Sequence, residues 1–399
     1  MKTPIALLSI FSLLMLIACE KTNPELPNNL LTHKLAPFNQ SKSSYVVQLK
    51  EDFFSQELSN ISDYDNRNKK LKNLLQQELP GIDIGRTFNT VFLGFACELT
   101  SAQKIALENL PFVNEIVENQ SVSLINTSIV SMVSSSGSQQ TPYGINRVGY
   151  ASGAGKKAYV LDTGVDMDHP DLNVNTLLSR SFMPESYYTV STSSYLNSPE
   201  DGHGHGTHVA GTIGAKNNSI GVIGVAYDAE IVAVKVLSDN GSGNIASVIG
   251  GIDYVAAIAL PGEVANMSLG GGANSLLDLA VISAAEKGIY FSLAAGNDRH
   301  DANNTSPARA NGPNIFTISA MDSNDRFAGF SNYGSPVDYC APGVSVKSTF
   351  KNGSYRNMSG TSMAAPHVAG LLLITNGQIQ TDGYVINDRD NNPDPIAHK

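Results

Sequence analysis

The chain has 399 residues, of which 42% are hydrophobic and 16% are charged, and its formal net charge is −10. This composition is typical of a globular protein with room for two or three domains, and it excludes a chain that is disordered throughout. The acidic balance argues against a nucleic-acid partner, because binding to phosphates needs clustered lysine and arginine side chains.

The first 18 residues have the pattern of a signal peptide. Lys2 supplies a short positive region, and the apolar stretch after it is too short to span a bilayer comfortably. The stretch ends in Leu-Ile-Ala directly before Cys19. This ending resembles the bacterial lipoprotein signal, in which lipid is attached to the cysteine; the alternative is an ordinary secretory signal. Either one predicts an extracytoplasmic protein, with membrane contact only through a lipid on Cys19. The remaining cysteines, Cys97 and Cys340, are too few for a disulfide framework and are expected to be buried thiols.

Residues 19–44 are polar and contain proline, which indicates a tether. Residues 45–125 then alternate between strand-like and helix-like patterns in the order β-α-β-(β)-α-β, with Thr100 as the N-cap of the second helix. That order predicts a small α+β domain. Residues 126–142 are rich in serine and short of charge, which is typical of an accessible, protease-sensitive linker.

From residue 143 to residue 377, short apolar strands alternate with helix-like segments. The alternation predicts an α/β domain with a doubly wound, mostly parallel sheet and helices on both faces. A Gly-Ala-Gly-Lys stretch at 153–156 precedes its strand instead of following it, so we reject a phosphate-binding loop there. Residues 378–399 are hydrophilic and are predicted to form a solvated polar tail; the acidic run within them lacks the glycine and glutamate of an EF-hand loop.

Three polar signatures stand at strand ends or helix starts, which is where α/β sheets place their functional sites. Asp162 follows an apolar strand, His205 begins one helical stretch, and Ser362 begins another. An alcohol becomes an effective nucleophile beside a base that a buried carboxylate orients. Asp-His-Ser is one of the known chain orders for such a triad. The residues therefore predict nucleophilic catalysis by Ser362.

The blocks DTGVDMDHPDL, HGTHVAGT and GTSMAAPHVAG resemble the signatures of the subtilisin-like serine peptidases. DGHGHGTHVAGTIG and FSNYGSPVDYCAPG are similar to the proteinase K branch, and the resemblance covers roughly residues 143–377. It implies the subtilisin-like fold and a serine endopeptidase that cleaves polypeptides through an acyl-enzyme. Ser362 would be the nucleophile, His205 the base and Asp162 the group that holds the imidazolium. Asn297, in the block AAGN, would bind the oxyanion together with the backbone N–H of Ser362.

The resemblance also implies how substrate and calcium would bind. A peptide would add as a strand between two glycine-rich edges. These edges are formed by Gly241, Ser242 and Gly243 on one side and by Ser268, Leu269 and Gly270 on the other. In the proteinase K group, two backbone carbonyls and an aspartate hold a structural Ca²⁺, an ion that prefers oxygen ligands. The corresponding residues here are Pro313, Ile315 and Asp338, and no catalytic metal is expected.

Residues 45–125 resemble the inhibitor-type propeptides of these peptidases, which implies a ferredoxin-like fold and a role as intramolecular inhibitor. The end of this domain would lie in the cleft like a product, with self-cleavage between about Asn126 and Gln140. The alternative is a permanent interaction module. Cleavage would separate a monomeric peptidase domain from any lipid on Cys19.

Two other functions remain open from the sequence. His203, His205 and His208 resemble part of the metallo-β-lactamase motif, and imidazoles suit zinc. Thr207, however, stands where that motif needs an aspartate, and zinc would leave the aspartate and serine blocks unexplained. The short C-terminus keeps a weak or inactive surface-binding module as the second alternative. The other signature residues are assigned packing or turn roles: His169, His367 and Asp166.

Overall fold

The computed structural model of the chain describes residues 41–125, 128–133, 137–184, 198–390 and 392–399, with the backbone alone for 128–133. These residues belong to a single compact unit. The expected signal peptide, Cys19 and most of the tether lie outside the described residues, as does part of the linker. No helix within the described ranges has the length and apolar character needed to cross a membrane.

The N-terminal domain is a four-stranded sheet with helical connections. Its elements are β1 (Ser43–Leu49), α1 (Ser55–Leu58), α2 (Tyr64–Glu78), β2 (Ile84–Phe88), β3 (Gly94–Leu99), α3 (Ser101–Glu108) and β4 (Val113–Glu118). The strands pair antiparallel in the order β2-β3-β1-β4. Thr100 caps α3 in a reciprocal capping box with Gln103. The predicted ferredoxin-like α+β domain is confirmed.

The rest of the chain begins with two strands that leave this sheet and continues into the larger domain. The elements up to the middle of that domain are β5 (Ser121–Leu124), β6 (Ser128–Val133), α4 (Tyr143–Val148), β7 (Ala151–Ser152), β8 (Lys157–Asp162), β9 (Asn173–Val174), β10 (Arg180–Ser181), α5 (His205–Gly214), β11 (Ala226–Tyr227), β12 (Glu230–Lys235), β13 (Ser242–Asn244) and α6 (Ile245–Ile258). The remaining elements are β14 (Val264–Met267), β15 (Leu269–Gly272), α7 (Ser275–Ala285), β16 (Tyr290–Ala294), β17 (Thr305–Ser306), β18 (Ile315–Met321), β19 (Val337–Pro342), β20 (Val346–Phe350), β21 (Ser354–Ser359), α8 (Thr361–Thr375), β22 (Gln380–Tyr384) and β23 (Pro395–His398).

The large domain is built on one ten-stranded sheet in the order β10-β12-β8-β14-β16-β18-β19-β23-β22, with β9 also paired to β12. All neighbours are parallel except β22 and β23. Successive side chains of a strand point to opposite faces. Ala158 and Val160 of β8 accordingly join the core under α5 and α8, whereas Tyr159 and Leu161 join the core under α6 and α7. The predicted doubly wound sheet is confirmed.

The C-terminal residues differ from the solvated tail that we expected. They form β22 and β23, and β23 extends the main sheet by pairing with β19. Val385 and Ile396 are buried against Met321 and Cys340, and Asp394 accepts a 2.6 Å hydrogen bond from Ser319. The expectation was wrong because it relied on the average polarity of the segment, although a few of its side chains are apolar and face the sheet. These residues cover the apolar edge that a solvated tail would have exposed.

Both cysteines of the described residues are buried free thiols, as expected. Burial raises the pKa of Cys97 to about 12 and also raises the pKa of Cys340 well above its ordinary value.

Two imidazoles are buried inside helices. His208 in α5 places Nε2 3.0 Å from the carbonyl oxygen of Val346 and 3.1 Å from that of Arg356, so it ties α5 to the hairpin β20–β21. His367 in α8 donates from Nδ1 to Met363, 2.8 Å away. Burial lowers the pKa of His208 to about 3 and that of His367 to about 4. Both side chains are therefore neutral packing groups, which for His367 agrees with the role assigned to it.

These two pKa values predict acid lability. Between the ordinary histidine pKa of about 6.5 and the folded values, the unfolded chain binds more protons, so the free energy of unfolding falls as pH is lowered. Each imidazole should contribute about 1.4 kcal/mol per pH unit in this window. The free energy of unfolding is measured with urea between pH 6 and pH 4, in a Ser362→Ala background. His208→Gln should reduce the dependence of this free energy on pH by the contribution of one imidazole. Equal slopes in the two proteins would contradict this assignment.

Candidate active site

Asp162 and His205 meet at the carboxyl end of β8. His205 Nδ1 lies 2.8 Å from Asp162 Oδ1, and both side chains are fully buried. Asp162 Oδ1 also accepts from the backbone N–H of Thr163 at 2.7 Å. The helix α5 can start this close to the strand because residue 206 is glycine: a Cβ there would lie 2.0 Å from the carbonyl oxygen of Gly164. The imidazole is thereby held with Nε2 pointing away from Asp162.

Asp201, which the sequence analysis did not single out, organises the loop before α5. Its carboxylate accepts from the backbone N–H groups of His203, Gly204 and Thr207 and from the hydroxyls of Thr163 and Thr207, at distances of 2.6–3.0 Å. Gly204 has no side chain to cap α5, so Asp201 supplies the cap from three residues earlier. An aspartate in a glycine-rich loop just before a helix is the signal that could have revealed it.

Ser362 lies in the first turn of α8, which packs against α5. Its Oγ donates to the backbone carbonyl of Ser268 at 3.3 Å. The Nε2 atom of His205 has no hydrogen-bond partner among the described residues. The structure thus joins Asp162 to His205 directly, and it shows the Ser362 hydroxyl turned toward Ser268.

Asn297 follows β16 and is fixed by the start of α8. Its Oδ1 accepts from both the backbone N–H and the hydroxyl of Thr361, each at 2.9 Å. Thr361 Oγ1 in turn accepts from the N–H of Gly296 at 3.1 Å. Because the amide oxygen is engaged by Thr361, the orientation of the amide is set one residue from Ser362. Thr361 is a second positioning residue that the sequence analysis did not name.

The two predicted substrate edges are brought together by a strand of the chain itself. β5 lies antiparallel between β13 and β15. Gly243 pairs with Val122, Gly270 pairs with Ser123, and the N–H of Leu124 donates to the carbonyl of Gly241 at 2.9 Å. The glycine and serine side chains leave room for this backbone-to-backbone contact.

The remaining members of the two predicted edges lie in the same sheet. Ser242 pairs with Ser123, Leu269 pairs with Leu124, and Ser268 stands just before β15. Ser268 Oγ donates to the carbonyl of Ser362 at 2.9 Å, which links this edge to α8.

The three histidines of the cluster have separate surroundings. His205 bonds Asp162, His208 bonds backbone carbonyls of the β20–β21 hairpin, and His203 lines a cavity beside the cleft. Burial lowers the pKa of His203 as well. Within the described parts of the chain, no group of three or more His, Cys, Asp or Glu side chains could hold a metal ion. The zinc interpretation gains no support there.

Pro313 stands two residues before β18, and Ile315 and Asp338 lie on the neighbouring strands β18 and β19. Ile315 begins β18, and Asp338 lies at a register shift of β19, where its Oδ2 accepts from the N–H of Thr317 at 2.8 Å. Burial raises the pKa of Asp338 to about 6. Among the described residues this backbone N–H is the one donor recorded for the carboxylate. A buried carboxylate with this single hydrogen-bond donor fits a calcium ion, which takes oxygen ligands.

Comparison with known proteins gives two family matches. Residues 153–380 match the Subtilase family, and residues 44–125 match Peptidase inhibitor I9. Alkaline serine protease ver112 of Corniculantispora psalliotae is 37% identical over 74% of this chain and 74% of its own length. Proteinase R of Parengyodontium album is 36% identical over 82% of this chain and 77% of its own length.

Among solved structures, a cold adapted subtilisin-like serine proteinase shares 38% sequence identity with a TM-score of 0.55, covering 64% of this chain and 97% of that chain. The chain belongs to the subtilase family of serine peptidases and carries an inhibitor I9 propeptide ahead of its catalytic domain.

Proposed function

We propose that the protein is an extracytoplasmic serine endopeptidase, made as a zymogen, in which Ser362 attacks the peptide carbonyl, His205 moves the proton and Asp162 holds the imidazolium. The observation that carries this proposal is the peptide strand β5, which lies between β13 and β15, where Ser268 just before β15 accepts a hydrogen bond from the Ser362 hydroxyl. The buried Asp162–His205 hydrogen bond supports the assigned roles. All of these groups come from one chain, so the proposed catalysis needs no second copy.

The proposed reaction needs one local movement. The Ser362 hydroxyl turns from the carbonyl of Ser268 to Nε2 of His205, and catalytic hydrogen bonds of this kind often tighten only when substrate binds. Oγ then bonds to the carbonyl carbon while His205 takes its proton, and His205 returns that proton to the leaving amine. Water, activated by the same imidazole, releases the acyl group from Ser362.

The oxyanion that forms during attack requires donors that are already oriented. Asn297 presents its amide and Ser362 its backbone N–H, at the start of α8 where the helix dipole also favours negative charge. In a subtilisin, loss of the asparagine donor lowers kcat by about 10²–10³. Thr361, which fixes the amide of Asn297, serves the same step as a positioning residue.

The register of β5 supports cleavage between Ile125 and Asn126. Leu269 is opposite Leu124 and Gly270 is opposite Ser123, so the next antiparallel step sets Ser268 opposite Ile125. The carbonyl of Ser268 is the acceptor of the Ser362 hydroxyl. On the other side, β6 pairs with β21, which leads through Gly360 into α8. The catalytic domain thus pairs with the chain before and after the proposed cleavage bond.

The propeptide is also anchored outside the cleft, which supports its role as an inhibitor. Asp253 of α6 accepts from the backbone N–H groups of Asn89, Thr90 and Val91 at 2.7–3.1 Å. Two further propeptide side chains contact the starts of helices in the catalytic domain. Asn119 accepts from the N–H of Ala246 in α6, and Glu115 accepts from the hydroxyl of Ser275 in α7.

Self-processing gives the first test of these assignments. In the wild type, N-terminal sequencing should find a catalytic fragment that begins at Asn126. Ser362→Ala should leave the chain uncut, because it removes the proposed nucleophile. Ser335→Ala, at an exposed serine outside the cleft, is the matched control and should be processed as the wild type. Normal processing of Ser362→Ala would reject Ser362 as the nucleophile.

Membrane attachment through Cys19 is part of the same proposal. The Ala18–Cys19 signal supports a lipid on the propeptide fragment, and processing would separate that fragment from the catalytic domain. The mass of the propeptide fragment from the wild type should therefore exceed that of residues 19–125 by one lipid modification. An unmodified cysteine, or a fragment that begins at another residue, would reject the anchor.

We also propose a structural calcium site formed by the carbonyls of Pro313 and Ile315 and the carboxylate of Asp338. The support is the burial of Asp338 with little hydrogen-bond compensation, together with the resemblance to the proteinase K group. The ion would fix the β18–β19 edge and has no part in proton transfer.

Calcium should stabilise the folded catalytic domain. At a Ca²⁺ concentration of about 100 times Kd, the expected gain is about 2.7 kcal/mol, or roughly 5–10 °C in Tm for a domain of this size. The measurement is calorimetry of Ser362→Ala with Ca²⁺ and with a chelator. Asp338→Asn should remove the difference. The site would be excluded if Ca²⁺ raised the Tm of Asp338→Asn by the same amount, or if it left the Tm of the Ser362→Ala parent unchanged.

A further inference from the structure

A cavity of about 560 Å³ lies beside β5, on the side of the cleft formed by β13 and the β20–β21 hairpin. Its walls include Leu124, Gly241, His203, Phe350, Lys351 and Arg356. The cavity therefore borders the peptide strand that occupies the substrate position, yet none of the roles assigned above uses it.

Ser123, Leu124 and Ile125 of the peptide strand all border this cavity, and the side chain of Leu124, the residue before the proposed acyl residue, lies against its Gly241 wall. Leu124 packs against Gly241, where a Cβ would meet Leu124 Cδ1 at 2.8 Å. Ile125 instead lies near Gly270, on the β15 side, where a Cβ would be 3.7 Å from Ile125 Cγ1. This alternation is that of a strand, whose successive side chains point to opposite sides. The side chain at position 124 is thus directed toward the Gly241 wall of the cavity.

The cavity carries positive charge that the described residues leave without an anionic partner. Lys351 donates to the backbone carbonyl of Gly202, and the Arg356 guanidinium stacks over the ring of Phe350 at 4.1 Å. Neither forms an ion pair with a carboxylate in the described part of the chain. Both side chains are only partly exposed. Two such cations in one cavity are notable in a chain of net charge −10.

The nearby carboxylates already have hydrogen-bond or ion-pair partners outside the cavity. The carboxylate of Asp201 is buried and accepts hydrogen bonds from the loop before α5. Asp239, close to Gly202, forms an ion pair with Lys235 at 2.7 Å. Burial lowers the pKa of His203, and Lys351 lowers it further, so this imidazole adds no fixed charge of either sign. Among the described residues that line the cavity, Lys351 and Arg356 are cationic and none is a carboxylate.

We propose that this cavity selects substrates with an acidic side chain, glutamate above all, at the residue that precedes the acyl residue, through Arg356 and Lys351. The inference rests on the endopeptidase function proposed above. Arginine suits carboxylates because its planar donors can bind both oxygens. Glutamate is longer than the Leu124 side chain, so it can reach further toward these cations. The propeptide has leucine at this position and so gives Arg356 and Lys351 no counter-charge. A substrate with glutamate there should therefore interact with the cavity more favourably than the propeptide does.

The test uses internally quenched peptides that copy residues 119–128 and carry leucine, glutamine or glutamate at position 124. With the processed enzyme at low salt, kcat/KM for the L124E peptide should exceed that for the L124Q peptide by about tenfold, the size of one charge-assisted interaction. The ratio should fall as salt is added, because the cavity is open to solvent. Mass spectrometry of the products should show cleavage after the isoleucine in every peptide.

Variants assign the preference to the two cations. Arg356→Gln and Lys351→Gln should each reduce the glutamate-to-glutamine ratio, and the double variant should bring it to about one. The ratio is taken within each enzyme, so a general loss of activity does not affect it. Lys347→Gln is the matched control, since Lys347 lies in the same hairpin but bonds Gln140; it should keep the wild-type ratio.

Two results would overturn the inference while leaving the proposed function intact: a ratio of one or less in the wild type with normal cleavage of the leucine peptide, or an undiminished ratio in the double variant. Absence of cleavage of all three peptides by the processed enzyme would instead refute the endopeptidase function, and the inference with it.

Discussion

The buried contact between Asp162 and His205 is the constraint on which the rest of this structure depends. Each side chain is fully buried, and removing one partner leaves polar atoms of the other buried without a hydrogen bond, at a cost of about 1–3 kcal/mol. The two residues are 43 positions apart, so the contact exists only if the end of β8 and the start of α5 are held at one edge of the sheet. Asp201 supplies that restraint by bonding both Thr163, next to Asp162, and Thr207 in the first turn of α5.

The cleft combines general and specific recognition. β13 and β15 bind the backbone of β5 through main-chain pairing, which accepts many sequences. Side-chain discrimination has to come from the walls between these edges, such as the Gly241 side and the Gly270 side. The propeptide makes this main-chain pairing and adds contacts at α6 and α7 that no ordinary substrate would make. The propeptide as inhibitor and a peptide substrate thus use the same backbone contacts in the cleft. They differ in the additional contacts that the propeptide makes outside it.

Much of the fold and the site could be predicted because they follow from local patterns in the sequence. The buried parallel strands appear as short apolar runs, and Asp162, His205 and Ser362 stand at their ends or at helix starts. The edges at Gly241–Gly243 and Ser268–Gly270 came from the family resemblance, and the structure brings them together around β5. These features depend on neighbours in the chain or on motifs with fixed spacing.

The features that were missed depend on contacts between distant segments. Asp201, Thr361 and Asp253 are ordinary polar residues until the fold brings the backbone N–H groups or side chains that they bind. The C-terminal strands were mistaken for solvated chain because only a few of their side chains, such as Ile396, face the sheet. The charge of the cavity beside Leu124 likewise arises from a hairpin more than 200 residues away in sequence.

The most direct test of the central claim is to identify the residue that a serine-directed phosphonylating reagent modifies in the processed enzyme, in the presence of a chelator. If the Asp162–His205 pair activates the hydroxyl at the start of α8, peptide mapping will find one adduct, on Ser362, formed in step with the loss of peptidase activity. An adduct on another residue, or complete loss of activity without modification of Ser362, would contradict the account.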